Sequence, residues 1–329
     1  MTALHGHRPL VTAFLDAARS GRLHHAWLLA GPQGIGKARF ADAAALRLLA
    51  ESAGPPVQAP GLDVPADHPI AKLVAAGSHP DLRRLERLAK DKSEELARSI
   101  SIAQVRALQA LFATTPSLSP RRVVIIDAID DLERPAANAL LKNLEEPPAD
   151  TLFLLVSHAP GRLLPTIRSR CRLLRFSPLD AADTAAVLRE ALPEAEEAEI
   201  GALVSIAGGA PGTALRFAGL DVAGLDAAME RLIAHGDPTN AERVALARAL
   251  SLKAAQPRYE IFLERAPARI AAQAHRLSGP ALARAIALWE EARGLADGAV
   301  RLSLDPQATV FELAGLLARL APEPAPAKA

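Results

Sequence analysis

Trp27-Leu-Leu-Ala-Gly-Pro-Gln-Gly-Ile-Gly-Lys-Ala38 decides how the rest of the chain is read. Its first residues, with Ala26, form a short apolar run suited to a buried strand. A glycine-rich turn follows, and then an alanine-rich segment suited to a helix. Gly31, Gly36 and Lys37 stand at the spacing of the phosphate-binding loop G-x-x-x-x-G-K-[ST], with Gly34 as a further loop glycine. The chemistry explains the spacing. Glycines let the backbone bend until its N–H groups converge on phosphate oxygens, the helix behind presents its positive end, and the lysine reaches the outer phosphates. One position departs from the pattern: Ala38 stands where a hydroxyl would bind Mg²⁺.

Downstream, Val123-Val-Ile-Ile-Asp127 is a β-branched run suited to a central parallel strand covered on both faces. Asp127 ends it, at the carboxyl edge where open α/β sheets bind ligands, and is placed like the carboxylate that helps hold Mg²⁺. The next residue is Ala128, whose methyl group can neither accept a proton nor orient water. Asp130, Asp131 and Glu133 lie beyond the strand and read as a negatively biased helix start rather than catalytic acids. Further strands are expected over 82–85, from Thr151 to Ser157, and over 172–176. Helices are expected over 9–20, 36–50 and 135–144, and Ser101 with Gln104 fits a capping box ahead of Val105, Leu108, Leu111 and Phe112. Strands alternating with helices at this spacing predict a parallel, helix-covered five-stranded sheet. Residues 51–70 read as an irregular insertion, and 90–98 as a charged, solvated stretch.

Arg168 and Arg170 fall in a turn before the fifth strand. Arg168 reads as a surface charge. Arg170 stands where a guanidinium could reach a phosphate held by a neighbouring subunit. Cys171 beside it has no recognisable histidine–acid partner set and reads as a packing residue. His24 and His25 read as a polar strand entrance rather than metal ligands.

Composition narrows the function class. The 329 residues are enough for two or three domains, and Lys plus Arg, 38, nearly balance Asp plus Glu, 37. That balance argues against a general electrostatic grip on nucleic acid, and the scarcity of aromatics argues against a base-stacking platform. A single cysteine excludes an intrachain disulfide and a multi-cysteine zinc site. No leader-type segment or uncharged membrane-length run is seen, so a cytoplasmic protein with no membrane partner is expected. From Pro178 the strand signals stop. Helices over 180–191, 194–207 and 213–218 are followed by alanine-rich helical sequence to about 320 and a proline–alanine tail.

The segments Gly31-Pro-Gln-Gly-Ile-Gly-Lys37, Asn138-Ala-Leu-Leu-Lys142, Leu144-Glu-Glu-Pro-Pro148, Pro165-Thr-Ile-Arg-Ser-Arg-Cys171 and Gly208-Gly-Ala-Pro-Gly212 resemble the bacterial clamp-loader family of DNA polymerase III, and within it the delta-prime type. The resemblance is specific over 5–177 and reaches to about 218. It implies an AAA+ module over 1–177, a three-helix lid over 178–219, an all-α collar over 220–321 for oligomerisation, and a disordered tail over 322–329. It implies a subunit of a pentameric loader that opens the sliding clamp and places it on primed DNA. Its partners would be motor (gamma/tau) and delta subunits, reached through the collar and the AAA+ domain.

Delta-prime subunits typically do not hydrolyse ATP and lend an arginine to a neighbour. The resemblance gives that role to Arg170, and gives Ser157 a sensor-like place beside the degenerate nucleotide site of Gly31, Gly34, Gly36, Lys37 and Asp127. Ala38 and Ala128 fit such a subunit, as does Gly212, which stands where motor subunits carry a lid arginine. No cofactor is required on this reading, and residual ATP or ADP binding is compatible with it. Many members carry a four-cysteine zinc module after the first loop helix; residues 51–70 hold no cysteine, so no zinc is expected. The alternative is an ATP-hydrolysing motor subunit of the same family, and Ala38 and Ala128 discriminate against it.

Overall fold

The computed structural model describes residues 4–89 and 96–322. The charged stretch expected over 90–98 falls mostly, and the tail expected over 322–329 almost wholly, outside the described residues. The described chain forms two compact units, 1–193 with 207–213, and 194–206 with 214–329.

The first unit is a five-stranded sheet with helices on both faces. In chain order it runs α1 (Arg8–Arg19), β1 (Ala26–Ala30), α2 (Lys37–Ser52), α3 (Pro69–Ala75), β2 (Leu82–Glu86), α4 (Ile102–Phe112), β3 (Arg122–Asp127), α5 (Arg134–Glu145), β4 (Thr151–Ser157), α6 (Pro165–Arg168), β5 (Arg172–Arg175) and α7 (Ala181–Ala191). The strand order is β2-β3-β4-β1-β5, all parallel. Burial follows that order. β1, β3 and β4 are covered along nearly their whole length, which is why they read as continuous apolar runs, while β2 and β5 are edges and carry arginines.

Alternation along β1 sends Trp27 and Leu29 to one face and Ala26, Leu28 and Ala30 to the other. On the first face, Phe14 of α1 packs edge-on against Trp27 at 5.3 Å and against Phe40 of α2 at 5.6 Å, and Phe40 continues to Phe176 at 5.2 Å. This chain of rings locks the helix behind the phosphate-loop motif onto the strand before it.

The capping box forms: Ser101 accepts from the Gln104 amide, and the Gln104 side chain accepts from the Ser101 amide. Within α4 only Val105 and Leu108 are fully buried; Leu111 and Phe112, expected on the same core face, are partly buried. The insertion after α2 is irregular up to His68, where α3 begins, a helix the proline-rich composition concealed. Arg47 of α2 organises it. Its guanidinium is buried, pairs with Glu51 at 2.7 Å and donates to the carbonyls of Ala59 and Asp63.

The second unit is helical: α8 (Glu197–Ala207), α10 (Val222–His235), α11 (Ala241–Leu250), α12 (Gln256–Ala274), α13 (Gly279–Arg301) and α14 (Pro306–Ala318), with α9 (Pro211–Ala214) at the junction. α14 is buried along Val310, Leu313, Ala314 and Leu317. Among the described residues, no single helix is long and apolar enough to cross a membrane.

Candidate functional site

The sheet order brings the ends of β1, β3 and β4 together, although β1 and β3 are not neighbours. At the end of β1 the chain turns through Gly31 to Gly36 into α2. Gly34 and Gly36 have φ of 80° and 97°, where a side chain would be strained. A Cβ on Gly34 would also lie 2.6 Å from the backbone nitrogen of Thr213. The Gly212 amide donates to the Gly34 carbonyl at 2.9 Å, so the segment after Gly208-Gly209 lies directly on the loop apex. The Gly31 amide donates to the Ser157 carbonyl at 3.2 Å, which ties the loop to β4.

Lys37 is 2% exposed and turned inward. Its ammonium donates to the carbonyls of Gly31, at 2.7 Å, and Pro32 of its own loop. Burial lowers its pKa to about 8, against the opposing pull of Asp127 and Asp130. A ¹³Cε-labelled chain followed by NMR should therefore show one lysine titrating near 8, absent in Lys37→Ala; if every lysine titrates near 10.5, the ammonium is not desolvated. The sign of the linkage follows. The unfolded chain keeps this proton until about 10.5 and the folded chain releases it at about 8, so between those values the cost that this buried ammonium imposes on the folded state is relieved and stability rises with pH.

Asp127 is at the end of β3, as expected, but its carboxylate is engaged. Arg84 of the edge strand β2 donates to Asp127 at 2.6 Å, to Asp42 of α2 at 2.6 Å and to Glu86 at 2.7 Å. Ser157 is at the end of β4, and its hydroxyl donates to Asp130 at 3.0 Å. Asp130 also accepts from the amides of His158 and Ala159. This acid braces the end of β3 against the end of β4, instead of merely biasing a helix start. Asp131 pairs with Arg87 at 3.2 Å and Glu133 accepts from Ser99, so neither faces the loop as a free base.

Tested against Mg²⁺–nucleotide chemistry, these residues do not fit. The hydroxyl ligand is replaced by Ala38, the strand-end carboxylate is held by Arg84, and no acid follows it at Ala128. Among the described residues, no cluster of three metal-binding side chains forms. His24 and His25 stack at 4.4 Å and bond the carbonyls of Ala26 and Leu144 respectively, the second tying the entrance of β1 to α5.

Arg170 is elsewhere, in the turn between α6 and β5. Its Nη2 pairs with Glu145 at the end of α5 at 2.9 Å, and Nη1 donates to the Thr166 carbonyl at 3.0 Å. About a third of the arginine side chain and half of the glutamate remain exposed. Cys171 packs on the core between α5 and α6, and burial pushes its thiol up to about 12, which removes it as a nucleophile.

A profile of the family described as DNA polymerase III, delta subunit, matches residues 6–180, the span that carries the phosphate loop, Asp127, Ser157 and Arg170. The chain belongs to this family. Among relatives of this delta-family chain, the DNA polymerase III subunit delta' of Pseudomonas aeruginosa is 41% identical over 199 residues, covering 60% of the chain and 57% of the relative. The gamma subunit of Buchnera aphidicola subsp. Schizaphis graminum is 32% identical over 178 residues, covering 54% and 45%. A crystal structure of a DNA polymerase III gamma subunit-related protein from Thermotoga maritima overlays with a TM-score of 0.44 at 18% identity, over 93% of this chain and 98% of that one. The matched region spans about half the length of the curated relatives.

Sequence reasoning on this family member missed Arg84, Asp130 and Glu145 as partners of site residues. Arg84 had a faint signal, one of two adjacent arginines in the short edge strand β2. The other two lie in acidic runs whose direction only the fold sets.

Proposed function

We propose that this chain is the delta-prime-type subunit of a DNA polymerase III clamp loader. It does not hydrolyse ATP, and it supplies Arg170 to the nucleotide site of a neighbouring subunit while the sliding clamp is placed on primed DNA in the cytoplasm. The observation that carries the reading is the closure of the chain's own site: Arg84 occupies Asp127, and Ala38 and Ala128 offer Mg²⁺ and water nothing to bind. Phosphoryl transfer depends on a metal ion to neutralise developing charge, so such a site is suited to scaffolding. The AAA+ unit would then serve as a rigid mount for the turn holding Arg170. The helical unit, without site chemistry of its own, would carry lasting contacts to motor and delta subunits.

The isolated protein is accordingly expected to show no ATP turnover above background, with or without primed DNA and clamp. Steady-state phosphate release checks this. Turnover that disappears in Lys37→Ala would refute the reading in favour of a motor subunit. Weak nucleotide binding alone would not, since Gly34, Gly36 and Lys37 could still hold phosphates without turnover.

A further inference from the structure

Arg122 opens β3, at the opposite end of the strand from Asp127 and roughly 17 Å from it by strand rise. It is 2% exposed. A guanidinium keeps its charge at any working pH and offers five N–H donors. Here Nη2 donates to the carbonyl and hydroxyl oxygens of Thr114, Nε is buried without an acceptor, and no carboxylate among the described residues pairs with the group. The fold treats its other deeply buried arginine differently: Arg47 has Glu51 and several carbonyls. A buried cation without a counter-charge is strongly disfavoured.

Arg122 lines a cavity of about 470 Å³ bounded by β2, α4 and the turn after α4. Arg83 lines it too, exposed and without an ion pair among the described residues, beside the exposed hydroxyl residues Thr115 and Ser117. One acid, Asp81, is present, but its oxygens accept from the amides of Ser117, Leu118 and Ser119 at 2.7, 2.8 and 3.0 Å, and it makes no ion pair with Arg122. The lining therefore holds two cations and one carboxylate whose oxygens are taken up by amides, so positive charge is in excess and Arg122 has no carboxylate partner among the described residues. Leu85 of β2 and Ala107, Leu108, Ala110 and Leu111 of α4 make much of the wall apolar, which weakens competition from water.

We propose that this cavity binds a small oxyanion, phosphate or carboxylate, with Arg122 as the buried anchor and Arg83 at the mouth. The site is separate from the nucleotide loop and does not depend on the clamp-loader reading. Binding supplies the counter-charge that the fold leaves out, so the sheet unit is more stable with the anion than without it.

The test uses the full chain carrying Lys37→Ala, so that phosphate at the loop does not contribute. Thermal unfolding is followed in sodium chloride, phosphate or acetate at equal ionic strength. Phosphate or acetate should raise the midpoint by about 3 °C over chloride, and the larger response identifies which oxyanion the site prefers. Arg122→Met should abolish the part of the rise that exceeds general salting. Ala107→Trp, at an exposed position on the cavity wall, should also abolish it by filling the space without touching the charge or endangering the fold. General salting effects act equally on all these chains. A rise as large in Arg122→Met or Ala107→Trp as in the parent chain, or no excess rise in the parent chain with either anion, overturns the proposal.

Discussion

Arg170→Ala is expected to leave the protein folded and assembled, yet to slow hydrolysis at the neighbouring subunit's site by about 10³-fold, the lower end of what an arginine supplied in trans contributes. In the isolated chain Arg170 is held by Glu145 and the Thr166 carbonyl. Half-exposed pairs of this kind contribute only about 0–1 kcal/mol. The guanidinium can therefore exchange Glu145 for the oxygens of a γ-phosphate with little loss, and its planar fork suits two of them at once. Reconstituted complexes should show a partial fall in clamp- and DNA-stimulated ATPase rate, because other motor sites keep their own arginines. Arg170→Lys should rescue poorly, since an ammonium is a point charge without the fork. The measurement is steady-state hydrolysis, with assembly checked on the same samples by size-exclusion chromatography. An intact complex with unchanged rates would reduce Arg170 to a surface charge.

Asp226→Ala should destabilise the helical unit by about 3 kcal/mol. Asp226 of α10 is nearly buried. It accepts from Nε of Arg265 at 2.7 Å, from Nη2 of the same residue, and from Arg269 at 2.9 Å, both on α12. Arg265 is itself only 12% exposed, so removing the aspartate strands a buried cation. The flanking pairs of the same ladder, Arg258 with Asp221 and Arg269 with Glu230, involve far more exposed acids. Glu230→Ala should accordingly cost at most about 1 kcal/mol. Urea denaturation of the full chain, read at the transition of the helical unit, separates the two. Equal costs would mean that solvent screens Asp226 as fully as Glu230.

By itself the sequence determined where the phosphate loop sits, which segments are central strands and which residues terminate them. Gly31, Gly34, Gly36 and Lys37 follow a strand and open a helix because their spacing allows little else. Asp127 and Ser157 end buried strands because β-branched and leucine-rich runs stop at the first polar residue. Ala38 and Ala128 are visible as missing functional groups, since an absent hydroxyl or carboxylate is a fact of the sequence.

Only the tertiary structure decided what those residues do with one another. The partners lie far apart along the chain: Arg84 meets Asp127 because β2 docks beside β3, and Asp130 meets Ser157 because β4 docks on the other side of β3. Strand order is a global choice, and periodicity along one segment carries no trace of its neighbours. The inward turn of Lys37, the packing of Gly212 and Thr213 on the loop apex, and the uncompensated charge of Arg122 have the same origin. Each depends on which surfaces exclude water after the sheet has closed, and desolvation is a property of the assembled fold rather than of any residue in it.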